Sequence, residues 1–69
     1  MNINVVKDAV NEYNKNTKYR LRITCKNLIE SIHIGSGHKV STFCDSIKVI
    51  TDEGVYYYDV SDIVRIIVH

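Results

Sequence analysis

Hydrophobic residues recur along this chain in two rhythms. Val6, Ala9, Val10 and Tyr13 fall at i, i+3, i+4 and i+7, while Lys7, Asp8, Asn11, Glu12 and Lys15 lie elsewhere around the same cylinder. That spacing predicts an amphipathic helix over residues 3–15. Asn2 or Asn4 is placed to cap its start, and Asn14, Asn16 and Thr17, all poor helix formers, predict its end. From Lys18 to Lys26 the rhythm becomes period two, with Tyr19, Leu21, Ile23 and Cys25 alternating with Lys18, Arg20, Arg22, Thr24 and Lys26. Alternation of that kind predicts a strand with one face on the core and the other wet and basic.

Further along, Lys26 and Asn27 offer a turn, and Leu28 to Ile34 reads as a second strand. Gly35, Ser36 and Gly37 form the only glycine-rich loop. Lys39 to Thr51 then reads as one long or bent strand carrying Val40, Phe43, Ile47, Val49 and Ile50, with Asp45 and Ser46 marking a bulge. Asp52, Glu53 and Gly54 before Val55 to Val60 predict a tight hairpin with the glycine in the left-handed position. Ser61 is placed to cap one helical turn over Ser61 to Ile63, and Val64 to Val68 is a final β-branched strand.

These elements predict an α+β domain in which an N-terminal helix precedes a small, strongly bent antiparallel sheet of about five strands. The stretch from Val55 to Val68 reads Tyr-Tyr-Tyr-Asp-Val, then Ser-Asp-Ile, then Val-Arg-Ile-Ile-Val, a strand, a short turn and a strand. In element order and size the chain resembles the SH3-like and Sm-like barrels. That resemblance implies an architecture and leaves the function open, because such folds host many activities.

Length limits what the fold can hold. A chain of 69 residues makes one domain, with a helix at 3–15 and a strand-rich body at 18–69. It buries only roughly 60% of the surface that its unfolded form exposes, so a partner surface is a natural source of further stability. The apolar share of 45% and charged share of 25% are ordinary globular usage and argue against disorder. No apolar run approaches the ~20 residues needed to cross a bilayer, and residues 1–17 are too polar for a secretory signal, so a cytoplasmic setting is expected. Cys25 and Cys44 are then expected to be thiols.

Charge brings in the first candidate site. Lys18, Arg20, Arg22 and Lys26 project from one strand face, with Lys7 and Lys15 adding to the basic first third, whereas Asp45, Asp52, Glu53, Asp59 and Asp62 fill the later part. A net charge of +1 is low for a nucleic-acid binder, yet phosphate contact depends on a local basic surface. The plainer explanation is a solvated strand face whose charges discourage edge pairing. The same asymmetry also allows copies of the chain to meet basic face to acidic face.

Tyrosine brings in the second. Tyr56, Tyr57 and Tyr58 are consecutive on a strand, so one ring points away from the other two and at least one is partly exposed. Exposed tyrosine suits a protein interface or base stacking, though it also serves to cover the open ends of a small core. Cys25, His33, His38 and Cys44 are the right types for a zinc site, but no Cys-x-x-Cys pair sets them and Cys25 lies in the inward register. Two buried thiols and two exposed imidazoles are the alternative. A Cys44–His38 nucleophile pair lacks a helix terminus to activate the thiol, and Gly35-Ser36-Gly37 lacks the Gly-Lys-Ser/Thr and helix of a phosphate loop.

The leading expectation is a non-catalytic interaction module or regulator, self-associating or docking on a protein partner through Tyr56, Tyr57 and Tyr58 and the outer face of the helix. The alternatives are a nucleic-acid-binding barrel using Lys18, Arg20, Arg22 and Lys26, and a metal- or thiol-dependent regulator. No cofactor, membrane association or small-molecule substrate is expected.

Overall fold

The computed structural model describes residues 1–69. Helix α1 spans Ile3–Asn14. Asn2 caps it, accepting a 2.8 Å hydrogen bond from the Asn4 amide, which satisfies a first-turn donor that has no partner inside the helix. Val6, Val10 and Tyr13 are buried along one stripe, at the spacing of a single helical face. Just past the helix end, Asn16 Oδ1 accepts from the Lys18 amide at 2.9 Å, a local turn that competes with another helical turn.

Six strands follow: β1 (Leu21–Cys25), β2 (Ile32–Ile34), β3 (Lys39–Phe43), β4 (Ser46–Thr51), β5 (Gly54–Asp59) and β6 (Ile63–Val68), with one 3-10 turn, Val60–Asp62, before the last. They form two antiparallel sheets of three strands, β2-β1-β6 and β3-β4-β5. Twelve buried residues, all apolar, make one core shared by the helix and both sheets. Leu21, Ile23, Cys25, Ile34 and Ile63 come from the first sheet, and Val40, Ile47 and Val49 from the second. The helix packs on β3 and β6, one strand from each sheet, so its apolar stripe bridges the two.

The α+β class and the order of elements agree with the sequence reading, but the single bent five-stranded sheet does not. The sheets are separate and neither closes. Two backbone positions cause the difference. Gly37 adopts φ +82°, and in the Gly35-Ser36-Gly37 segment the chain leaves the first sheet and enters the second. Cys44 adopts φ +52°, which folds the expected long strand Lys39–Thr51 into the β3–β4 hairpin with Phe43 opposite Ser46. Asp45 and Ser46 therefore belong to that hairpin. The irregularity in the ladders lies instead between Thr24 and Cys25, where β1 meets β6.

Three local expectations also change. Only Ile32–Ile34 of the second strand forms. Bonds from the Lys26 amide to the Asp62 carbonyl (2.8 Å) and from the Leu28 amide to the Cys25 carbonyl (3.3 Å) turn the chain first, leaving Leu28 and Ile29 exposed. Gly54 pairs with Thr51 as the first residue of β5 at φ +158°, so the hairpin turn is Asp52-Glu53. Asp59, and not Ser61, caps the 3-10 turn, its Oδ1 accepting from the Ser61 amide and hydroxyl at 2.9 Å each.

Candidate functional site

Two outward faces carry the chemistry. On the first sheet, cross-strand register decides the neighbours, since residues directly opposite one another share a face. Arg22 lies opposite His33 on β2 and Ile67 on β6, and Thr24 lies opposite Arg65. Arg20 and His69 extend the ladder by exchanging backbone hydrogen bonds of 2.8 and 3.0 Å. Because Leu21, Ile23 and Cys25 point into the core, the even-numbered residues of β1 point out. The resulting face holds Arg20, Arg22 and Arg65 with His33 and His69, and none of its strand positions is acidic.

The basic residues expected from sequence are thus only partly brought together. Arg20 and Arg22 share the face, whereas Lys18 sits in the preceding turn and Lys26 in the following one. Lys26 is taken up at 3.9 Å by Asp62. The other ion pair joins Lys15 to Glu12 on the helix, so no arginine has a carboxylate partner. Arg22 is only partly exposed, and its Nε is enclosed without a hydrogen-bond acceptor. Beside it, Arg20, His33, Ser36 and His69 line a cleft of about 310 Å³ with Leu21, Ile34 and Gly35. Sequence reading missed Arg65, His33 and His69 as members of this face, since the alternation of β6 reveals only that Arg65 and Ile67 point the same way.

The second outward face carries an apolar cluster among Lys39, Ser41, Ser46 and Asp59. Opposite pairs Lys48–Tyr57 and Ile50–Val55 place these four side chains together, and Phe43 joins them from β3. Phe43, Val55 and Tyr57 are each about half exposed (59%, 49% and 55%). The Phe43 and Tyr57 rings meet edge to face at a centroid distance of 6.5 Å, and Lys48 Nζ stands 5.9 Å from the centre of the Tyr57 ring.

The three tyrosines do not form one surface. Tyr57 points outward, whereas Tyr56 and Tyr58 face the side of Val49 and Ile47. Tyr58 packs against the core. Burial, followed by the charges of Tyr56 and Cys25, pushes its hydroxyl above its ordinary value. Tyr56 remains exposed and borders a cleft with His38, Thr51, Asp52 and Glu53.

No three histidine, cysteine or acidic side chains converge to hold a metal ion. Both cysteines are free, but only Cys25 is buried; Cys44 is exposed at its hairpin turn, which corrects the expectation of two buried thiols. Burial and the nearby Asp62 charge push the Cys25 thiol above its ordinary value. His33 is exposed, while His38 is half-buried. His38 and Cys44 flank opposite ends of β3, roughly 20 Å apart at ~3.3 Å per residue, too far for a nucleophile pair. Gly35-Ser36-Gly37 leads into a strand and so has no helix terminus to offer an anion. No helix is long and apolar enough to cross a membrane. The chain matches no protein-family model, no curated protein and no solved structure.

Proposed function

We propose that this protein is a non-catalytic interaction module that docks on protein, a second copy of itself included, through β5 and the outer face of the second sheet. The observation carrying this reading is the exposed cluster of Phe43, Ile50, Val55 and Tyr57 beside a strand whose far edge is open. β5 ends its sheet, with only β4 beside it, and the backbone bonds made outside the strand ladders do not involve Val55–Asp59. Its unpaired amides and carbonyls form a template for a further strand.

Magnitudes assign roles to the two features. Fully burying an exposed side chain of this size contributes roughly 1.5–3 kcal/mol, so four that are already half covered contribute on the order of 3–6 kcal/mol together. Association costs roughly 4–15 kcal/mol in lost freedom. The apolar cluster alone is therefore marginal, and strand addition at β5 supplies the remainder. The two free thiols support a reducing, cytoplasmic setting for this work.

Sedimentation of the whole chain over a range of concentrations tests the reading. The molar mass is expected to rise with concentration, and Tyr57→Ala with Phe43→Ala to return it to that of a monomer. A mass that stays monomeric throughout, or an assembly indifferent to both changes, removes this surface as the contact.

A further inference from the structure

The outer face of the first sheet has chemistry that protein docking at the second sheet leaves unused. Arg20, Arg22 and Arg65 occupy three successive rows of that face, each without a carboxylate within ion-pair distance. Like charges gathered on one sheet face repel one another, and no ion pair offsets that repulsion there. Arg22 adds a second cost, because its enclosed Nε–H has no acceptor. A buried donor left without a partner is destabilising, more so when it belongs to a charged group. An anion lying along these rows would offset that repulsion, and a guanidinium fork fits the oxygens of a phosphate in bidentate fashion.

We propose that this face binds the phosphate backbone of single-stranded nucleic acid. The dimensions favour such an occupant. Three strands span about 10 Å across, and the rows from Arg20 to Thr24 about 13 Å along, room for a few successive phosphates of one strand. An acidic peptide is the less suitable ligand, because peptide recognition draws on apolar pockets for side chains. Here the strand positions offer only a partly covered Ile67 and, at the irregular point of β6, an exposed Val64. A phosphodiester chain needs little beyond cations along its path. Arg22 supplies the central charge, Arg20 and Arg65 the flanking ones, and the cleft lined by Arg20, His33, Ser36 and His69 receives a terminal phosphate or the next one along.

Binding of fluorescent oligothymidylate and oligouridylate to the whole chain over a salt series tests this. Contact with about three phosphates gives a log–log slope near −2 on single strands. Arg20→Gln with Arg65→Gln, both exposed and therefore compatible with folding, is expected to weaken binding about 10-fold or more and to reduce the slope by about 1.4. Arg22→Lys keeps the charge, loses the fork, and weakens binding with the slope unchanged. Tyr57→Ala leaves binding intact, which separates this site from the docking surface. Absence of binding at low salt, affinity indifferent to the arginine changes, or equal displacement by polyglutamate of the same length would overturn the proposal.

Discussion

Tyr13 Oη donates a 2.6 Å hydrogen bond to the Gly35 carbonyl, tying the end of the helix to the segment where the chain crosses between sheets. The same hydroxyl accepts from the His38 amide at 3.2 Å. One buried ring therefore holds both ends of Gly35-Ser36-Gly37. Tyr13→Phe keeps the ring and leaves a carbonyl and an amide unpartnered in a partly buried place. A loss of about 1–2 kcal/mol is expected from chemical denaturation, with increased amide exchange at His38.

Ile23 and Ile47 have no exposed surface, whereas Ile29 is fully exposed. Truncating either buried residue to alanine removes transfer energy and leaves a cavity, at about 2–5 kcal/mol. In a domain of this size, whose total stability is only about 5–15 kcal/mol at best, that is a large share. Ile29→Ala is expected to change stability by less than about 0.5 kcal/mol. Equal effects at Ile23 and Ile29 in urea titrations would contradict the assigned core.

Cys44 occupies a left-handed backbone position, φ +52°, in a two-residue hairpin turn that favours glycine. Side chains with a Cβ are strained there by about 1–2 kcal/mol, and glycine's greater freedom in the unfolded chain returns part of that. Cys44→Gly is thus expected to stabilise by up to about 1 kcal/mol. Cys44→Val, β-branched, is expected to destabilise. Thermal melting of the two variants decides the matter.

The same pair of cysteines should separate by reactivity. Cys44 is exposed, while Cys25 is buried with its thiol held above its ordinary value by burial first and Asp62 second. Reagent should titrate one thiol rapidly in the folded protein and the second only on unfolding. Two fast thiols would contradict the position of Cys25.

Asp59 and Cys25 set opposite ends of the pH profile. The backbone and hydroxyl bonds from Ser61 hold the Asp59 carboxyl below its ordinary value of 3.8. Its stabilising contribution is therefore in place above that value and is lost as the pH falls through the lowered one. For Cys25 the shift is upward from 9.0, so stability is in place below 9.0 and declines as the pH rises through the raised value. Melting temperatures across pH should show both declines. Asp59→Asn should reduce the acid one and Cys25→Val the alkaline one.

Much was decided by the order of residues alone. The i, i+3, i+4, i+7 spacing of Val6, Ala9, Val10 and Tyr13 is sufficient for α1, the alternation at Leu21, Ile23 and Cys25 for the inward face of β1, and Thr51 to Val55 for the β4–β5 hairpin. Each depends on neighbours close in the chain, where period and turn chemistry act directly. The tertiary structure alone decided which strands share a sheet. The left-handed backbone at Cys44 divides what reads as continuous strand, the one at Gly37 lies in the loop that carries the chain into a second sheet, and no hydrophobic period encodes either. Arg65 joins Arg22 on one face because β6 returns to pair with β1, some forty residues later along the chain. Tyr56, Tyr57 and Tyr58 separate because strand alternation sends adjacent rings to opposite sides, and only the position of β4 determines which of those sides is the core.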